Sequence, residues 1–321
     1  MTAFADMTTA EQVASLSDCV AEILTAYDLS SPTFESINHD YNSTFKVSTA
    51  NAETFALRVN VNSPRTEPNL AAEVFWVYAI TSVKTPKPVA NRDGSFSSQG
   101  WHEASGRNLH AVLYTWLEGE ELGDEPTVEQ LGAAGALMAK LHETSSSLTL
   151  PAGAELPDFA DFFWGGNDLL LSAESQLNLA EQELIAELKD LVADALATLS
   201  ADSPQQLIHA DVHPFNLMWH QGQIAAFDFD DCGFGLPIQD LATSLYYLDT
   251  EEQEQAFKDG YTTVRPLPAH TDRQMRLLKH HRRVLLLNYL FESTNPEHRA
   301  MIESYRARTF ELLAQELGRG A

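Results

Sequence analysis

Leu207-Ile-His209-Ala-Asp211-Val-His213-Pro-Phe-Asn216-Leu-Met-Trp219, then Gln221-Gly222, then Gln223-Ile-Ala-Ala-Phe-Asp228-Phe-Asp-Asp231 is the stretch that decides the fold. Short apolar runs flank its polar groups. Pro214 lacks an N–H, and its ring bars a helix across the loop. The pattern predicts a strand ending at His209, a loop from Ala210 to Asn216, a second strand, a tight turn and a third strand ending at Asp228. A hairpin of this kind brings its two polar ends together. Asp211, Asn216 and Asp228 then converge on one small volume.

Before this hairpin the chain changes character once. Glu11 to Leu29 reads as a helix, with Val13, Leu16, Val20, Ile23 and Leu24 at helical spacing. Thr44–Ser48 and Thr54–Asn60 read as strands joined by a turn at residues 49–52. Asn69–Thr81 reads as a helix with Leu70, Val74, Val77 and Ile80 on one face. Pro86 and Pro88 impose an extended entry to the next strand, Asn91-Arg-Asp-Gly94 predicts a hairpin turn, and Leu109–Trp116 an apolar strand. After Gly119 the pattern turns helical, over Val128–His142 and Glu181–Leu199, and again from Leu241 onward, notably Arg273–Phe291 and Pro296–Leu317. Ser145–Pro157 reads as an exposed loop. Sheet first and helices second is an α+β layout in two lobes, residues 1–115 and 116–321, with the joint at Thr115–Gly119.

Composition narrows the function classes. The 321 residues are 44% hydrophobic and carry a formal net charge of -26. Such a surface keeps a protein soluble and repels phosphate backbones and anionic lipid, so neither nucleic acid nor a membrane is an expected partner. A cationic small molecule is favoured. Cys19 and Cys232 are the only cysteines, which suggests neither a disulfide framework nor a thiolate zinc site. Met1–Asp18 contains no Lys or Arg and no apolar core of a secretory signal, and no apolar run approaches the ~20 residues of a membrane span. A reducing cytoplasm is the expected compartment.

The convergent Asp, Asn and Asp suit phosphoryl transfer. One carboxylate has to accept or orient a hydroxyl proton. Oxygen ligands have to hold Mg2+ against a triphosphate, and Mg2+ favours carboxylate and amide oxygens. The remaining catalysis is positioning and charge neutralisation.

At these residues the chain resembles the aminoglycoside-phosphotransferase family, a branch of the protein-kinase-like fold. His209-Ala-Asp211-Val-His-Pro-Phe-Asn216 is similar to that family's catalytic loop, and Ala226-Phe-Asp228-Phe-Asp-Asp231 to its metal-binding segment, closest to bacterial stress-response-kinase and homoserine-kinase-like members. The resemblance implies Asp211 as the base, Asn216 and Asp228 as ligands of Mg2+ or Mn2+, and ATP as co-substrate. It extends to Leu113–Gly119 as a hinge offering Thr115 and Leu117 backbone groups to adenine, to Gly135–His142, to Phe257–Tyr261, and to Ile238-Gln-Asp240, whose Asp would brace the catalytic loop beside His209. Arg58, on Phe55-Ala-Leu-Arg58-Val, would be the phosphate-contacting cation with Glu73 as its partner. It departs from the family in being Arg rather than Lys. Asn38–Thr44 takes the place of a Gly-rich loop without a glycine, with Ser43 and Thr44 hydroxyls to cap phosphates. Asp230 lies near the metal, and Asp231 reads as a solvated or capping acid.

Other readings stay open. His209, Asp211 and His213 at alternate positions suit a metallohydrolase. A nucleotide-binding pseudokinase usually lacks one of the three polar residues, and none is missing. The acceptor is a small hydroxylated molecule, an aminated one being favoured by the acidic charge, or a protein Ser/Thr as in stress-response kinases, held by Asp158–Trp164 and the helices after Asp240.

Overall fold

The computed structural model describes residues 3–63, 65–201 and 203–319. It begins with two short helices, α1 (Thr9–Ser15) and α2 (Ser17–Leu24), where the sequence predicted one helix through Leu29. They part at Leu16 because they bury different chemistry. α1 turns the Gln12 amide inward onto the carbonyls of Phe4 (3.0 Å) and Thr294 (3.1 Å). α2 lays Cys19, Val20, Ile23 and Leu24 against a sheet. Beyond Leu24 the chain tightens into three-residue turns up to Tyr27.

That sheet is antiparallel, with strands β1 (Thr33–His39), β2 (Ser43–Ser48), β3 (Thr54–Val59), β4 (Ser97–His102) and β5 (Arg107–Thr115) in the order β1-β2-β3-β5-β4. β1 and β4 are its edges. Both are polar along most of their length and carry no apolar alternation, which suits an edge and hides it from sequence reading. Asn91–Gly94 does form a turn, the Gly94 N–H reaching the Asn91 carbonyl at 3.1 Å, but it joins no hairpin: Pro88 before it and β4 after it both lie along β5. Cross-strand register sorts the two faces. Phe45, Leu57 and Leu113 stand in one row toward α2, while Thr44, Arg58 and Val112 stand in a row on the opposite face. There α3 (Glu67–Ala79) packs, its Leu70, Val74, Trp76 and Val77 meeting Val112 and Tyr114.

The second lobe is helical around a few short strands: β6 (Glu120–Glu121), α4 (Val128–Ser145), α5 (Leu179–Leu199), β7 (Gln206–Ile208), β8 (Leu217–His220), β9 (Gln223–Ala226), β10 (Gly233–Gly235), α6 (Pro237–Tyr246), α7 (Glu251–Thr262), α8 (Asp272–Glu292) and α9 (Pro296–Glu316). β8 and β9 form the expected hairpin, and β6 pairs beside β8. Its third strand ends at Ala226, two residues before Asp228, which leaves that carboxylate on a bend rather than in a ladder. α4 and α7 cross closely at glycines. A Cβ on Gly260 would lie 1.8 Å from the Gly132 carbonyl, and one on Gly135 1.9 Å from that of Phe257. Gly135→Ala is therefore expected to cost about 3 kcal/mol, at the upper end of overpacking effects. A urea midpoint equal to wild type would show that the helices separate freely. The protein is bilobal and α+β, and no described helix is long and apolar enough to cross a membrane.

Candidate active site

β7 delivers the chain into the loop, and Asp240 on α6 fixes its first turn. The buried Asp240 carboxylate accepts the His209 N–H at 3.2 Å and the Ala210 N–H at 2.8 Å. It is itself 2.9 Å from His142 Nε2 on α4, whose Nδ1 lies 2.8 Å from the Tyr261 hydroxyl of α7. Three separated sequence motifs thus meet beneath one loop. They hold Ala210 at φ 66°, a left-handed conformation that an alanine adopts only when its surroundings fix it. His209 Nδ1 accepts the Asp211 N–H (3.3 Å), and Nε2 meets the Phe227 carbonyl (3.1 Å), which assigns a neutral Nε2–H tautomer. Burial keeps the ring's pKa low, outweighing Asp240 and Asp211. Both ring nitrogens are committed. A metallohydrolase using His209, Asp211 and His213 therefore lacks its first ligand, and among the described residues no group of three His, Cys, Asp or Glu side chains is disposed to hold a metal alone.

Asn216 ends the short 3-10 turn Pro214–Asn216. Its Nδ2 donates to both the carbonyl and the Oδ2 of Asp211, each at 2.9 Å, and its Oδ1 meets no protein donor among the described residues. The Phe227 N–H to Asn216 carbonyl bond (3.1 Å) ties this turn to the Asp228 segment. Asp228 sits at φ 58° with two fifths of its side chain exposed. Burial pushes its pKa up to about 7, Arg58 pulls against that, and Asp230, Asp211 and Asp231 add to it. Three other carboxylates thus crowd a side chain whose ion-pair partner is Arg58. Asp211 is the opposite case: burial would raise its pKa, but His213 and Arg282 hold it well below the usual carboxylate range.

Arg58 and Glu73 form a bidentate pair at 2.8 and 2.6 Å, almost wholly buried, with the Tyr114 hydroxyl donating to Glu73 at 2.7 Å. Arg58 Nη1 is also 3.4 Å from Asp228, and Nη2 is 3.5 Å from Asp230. Asp230 is committed inward, accepting from Asn42 (3.0 Å) and Asn60 (3.2 Å). Asp231 is half-exposed, 3.8 Å from Arg65. Thr44 shares the sheet face of Arg58, but Ser43 does not. Its hydroxyl is buried on the far face, 2.6 Å from His39 Nδ1, so the expected phosphate cap at Ser43 is corrected. Strict alternation along β2 makes adjacent residues face opposite ways. At the hinge, the Thr115 N–H and hydroxyl both serve Lys87 at 2.8 Å, while the Leu117 N–H meets no protein acceptor among the described residues. In Asp158–Trp164, Phe159, Phe162 and Phe163 are buried, leaving Asp158, Asp161 and part of Trp164 to face outward.

Sequence reasoning missed Arg282. From α8 it makes an ion pair with Asp211 Oδ1 and a 2.8 Å hydrogen bond to the Tyr247 hydroxyl. The signal was present: a charge among Leu277, Leu278, Val284 and Leu287 on the buried stripe of a helix.

Residues 33–278 match the model of the phosphotransferase enzyme family. The chain belongs to that family. Over 201 residues this phosphotransferase-family chain is 29% identical to a homoserine kinase of Brucella anthropi, a match covering 60% of it and 57% of that protein. It spans less than two thirds of the length of the curated relatives it matches. The structure of a microcompartment-associated aminopropanol kinase is 26% identical with a TM-score of 0.76, covering 93% of this chain and 97% of that one. That of an amicoumacin kinase in complex with AMP-PNP, Ca2+ and Ami, at 20% identity and a TM-score of 0.71 over 94% and 95% of the two chains, shares the fold.

Proposed function

We propose that the protein transfers the γ-phosphoryl group of ATP to a hydroxyl of a small molecule. The observation that carries this reading is the shared location of Asp211, Asn216 and Asp228 with the buried Arg58–Glu73 pair, in a chain of the phosphotransferase family. Asp211, held ionised by its neighbours, accepts or orients the acceptor hydroxyl proton. Asn216 Oδ1 and the Asp228 carboxylate fit a hard divalent cation, since one has no protein donor among the described residues and the other stands among Asp230, Asp211 and Asp231 with Arg58 at 3.4 Å. Bound there, Mg2+ or Mn2+ supplies neutralisation of phosphate charge. Arg58, aligned by Glu73, faces the phosphates alongside Thr44. Leu117 offers its N–H, unbonded among the described residues, to the base, and the lobes divide at residues 115 and 116. His209 and Asp240 hold the loop. The relatives' own substrates, homoserine and aminopropanol, support a small aminated acceptor, as does the net charge of -26.

Two protein oxygens hold Mg2+ poorly without substrate oxygens. Calorimetric titration of Mg2+ should therefore show weak binding to the apo protein, tight binding with AMP-PNP, and loss of the tight phase in Asp228→Ala. Stoichiometric zinc or iron retained through purification, and lost in His213→Ala, would defeat the reading.

A further inference from the structure

We propose that Arg282 is a positioning residue for this transfer, holding the Asp211 carboxylate in the orientation in which it meets the acceptor hydroxyl. The inference rests on the kinase reading of the site. Arg282 lies beyond residue 278, where the family match ends. It is 6% exposed and occupies the buried stripe of α8 with Met275, Leu278 and Val284. A guanidinium there is expensive to desolvate, and an apolar residue of similar size often serves packing as well or better. Helix packing does not call for it. Among the described residues, Asp211 is the one carboxylate in ion-pair contact with it.

The contacts divide the two oxygens of Asp211. Oδ1 takes Arg282, from the helical lobe. Oδ2 takes the Asn216 amide at 2.9 Å and faces His213 Nε2 at 3.4 Å, both from the loop itself. Arg282 is fixed in turn by the Tyr247 hydroxyl, with its guanidinium 5.6 Å from the Tyr247 ring centroid, and that ring lies 4.6 Å from the ring of His213. Arg282, Tyr247, His213 and Asp211 close a circuit. Without Arg282 one oxygen of the carboxylate loses its donor, and the group is free to turn about its last torsion.

Arg282→Met keeps the length and removes the charge. Measured by ATP consumption over a panel of amino alcohols, hydroxy amino acids and aminoglycosides, it should lower kcat about 30- to 100-fold, the scale of a small misplacement of a reacting group. KM for ATP should stay within about threefold, and Arg282→Lys should recover part of the loss, because it keeps the charge without the fork. Placed on Asp211→Asn, the same change should cost almost nothing further, since its effect runs through the carboxylate. A kcat near wild type in Arg282→Met, or an equal loss in both backgrounds, would overturn the assignment while leaving the kinase reading intact. If Arg282→Met does not fold, Arg282→Lys decides: about tenfold loss of kcat at unchanged KM for ATP supports the role, and wild-type kcat refutes it. A wild type that consumes no ATP with any acceptor defeats the functional reading and takes this inference with it.

Discussion

Asp211→Asn is expected to bind ATP with near-native affinity and to lose turnover about 10^3-fold, within the range that removing a general base costs. The substitution is nearly isosteric. It keeps one side-chain oxygen, which can face Arg282, and the main-chain carbonyl of residue 211 still accepts from the Asn216 amide (2.9 Å), so the loop should hold its shape. What is lost is the charge that accepts the proton. Asp240 carries the main-chain bonds of the neighbouring residues, and His209 supports the Asp211 N–H, so neither depends on the Asp211 carboxylate. A thermal midpoint near wild type would confirm that the loss is chemical. Unchanged phosphoryl transfer would remove Asp211 from the role of base.

The second large effect concerns stability as well as turnover. Arg58→Ala is expected to cost about 3–5 kcal/mol, the scale of breaking a buried ion pair from one side. Three carboxylates depend on this cation: Glu73 at 2.6 Å, Asp228 at 3.4 Å and Asp230 at 3.5 Å. Glu73→Ala should cost less, because Arg58 keeps the other two. Nucleotide affinity should fall in the same order. The pH dependence has a definite sign. Arg58 holds the Asp228 and Asp230 pKa values down against burial, so without it both rise, the native state binds more protons than in wild type, and the stability lost grows as pH rises through those values. The Arg58→Ala deficit should therefore be smaller at pH 5 than at pH 8, measured by urea midpoints. A deficit below 1 kcal/mol, or one independent of pH, would mean that Arg58 is not the cation these groups share.

Much of this architecture can be read from residues. Pro214 and the alternation of short apolar and polar runs disclose the hairpin, because a proline in mid-loop admits few alternatives. The helices α4, α5, α8 and α9 declare themselves through long periodic patterns. Less visible is whatever depends on which neighbour a segment finds. β1 and β4 become strands because β2 and β5 offer them an edge, and their own polar sequences carry little pattern. The break at Leu16 reflects a polar pocket for Gln12 built partly by Thr294, far along the chain. Ser43 and Thr44 look equivalent in sequence, and only the register with Arg58 separates them. Arg282 stands 71 residues from Asp211, and its ion pair follows from the packing of α8 against α6.

On the proposed function, this site moves a phosphoryl group from ATP to a hydroxyl. Phosphorus NMR tests it most directly, with wild-type protein, Mg2+ and ATP, and with homoserine, aminopropanol and aminoglycosides supplied in turn. A new phosphomonoester signal is predicted with at least one hydroxylated acceptor, appearing in step with ADP and absent in Asp211→Asn. ATP left intact with every acceptor, or ADP formed only together with inorganic phosphate, would contradict it.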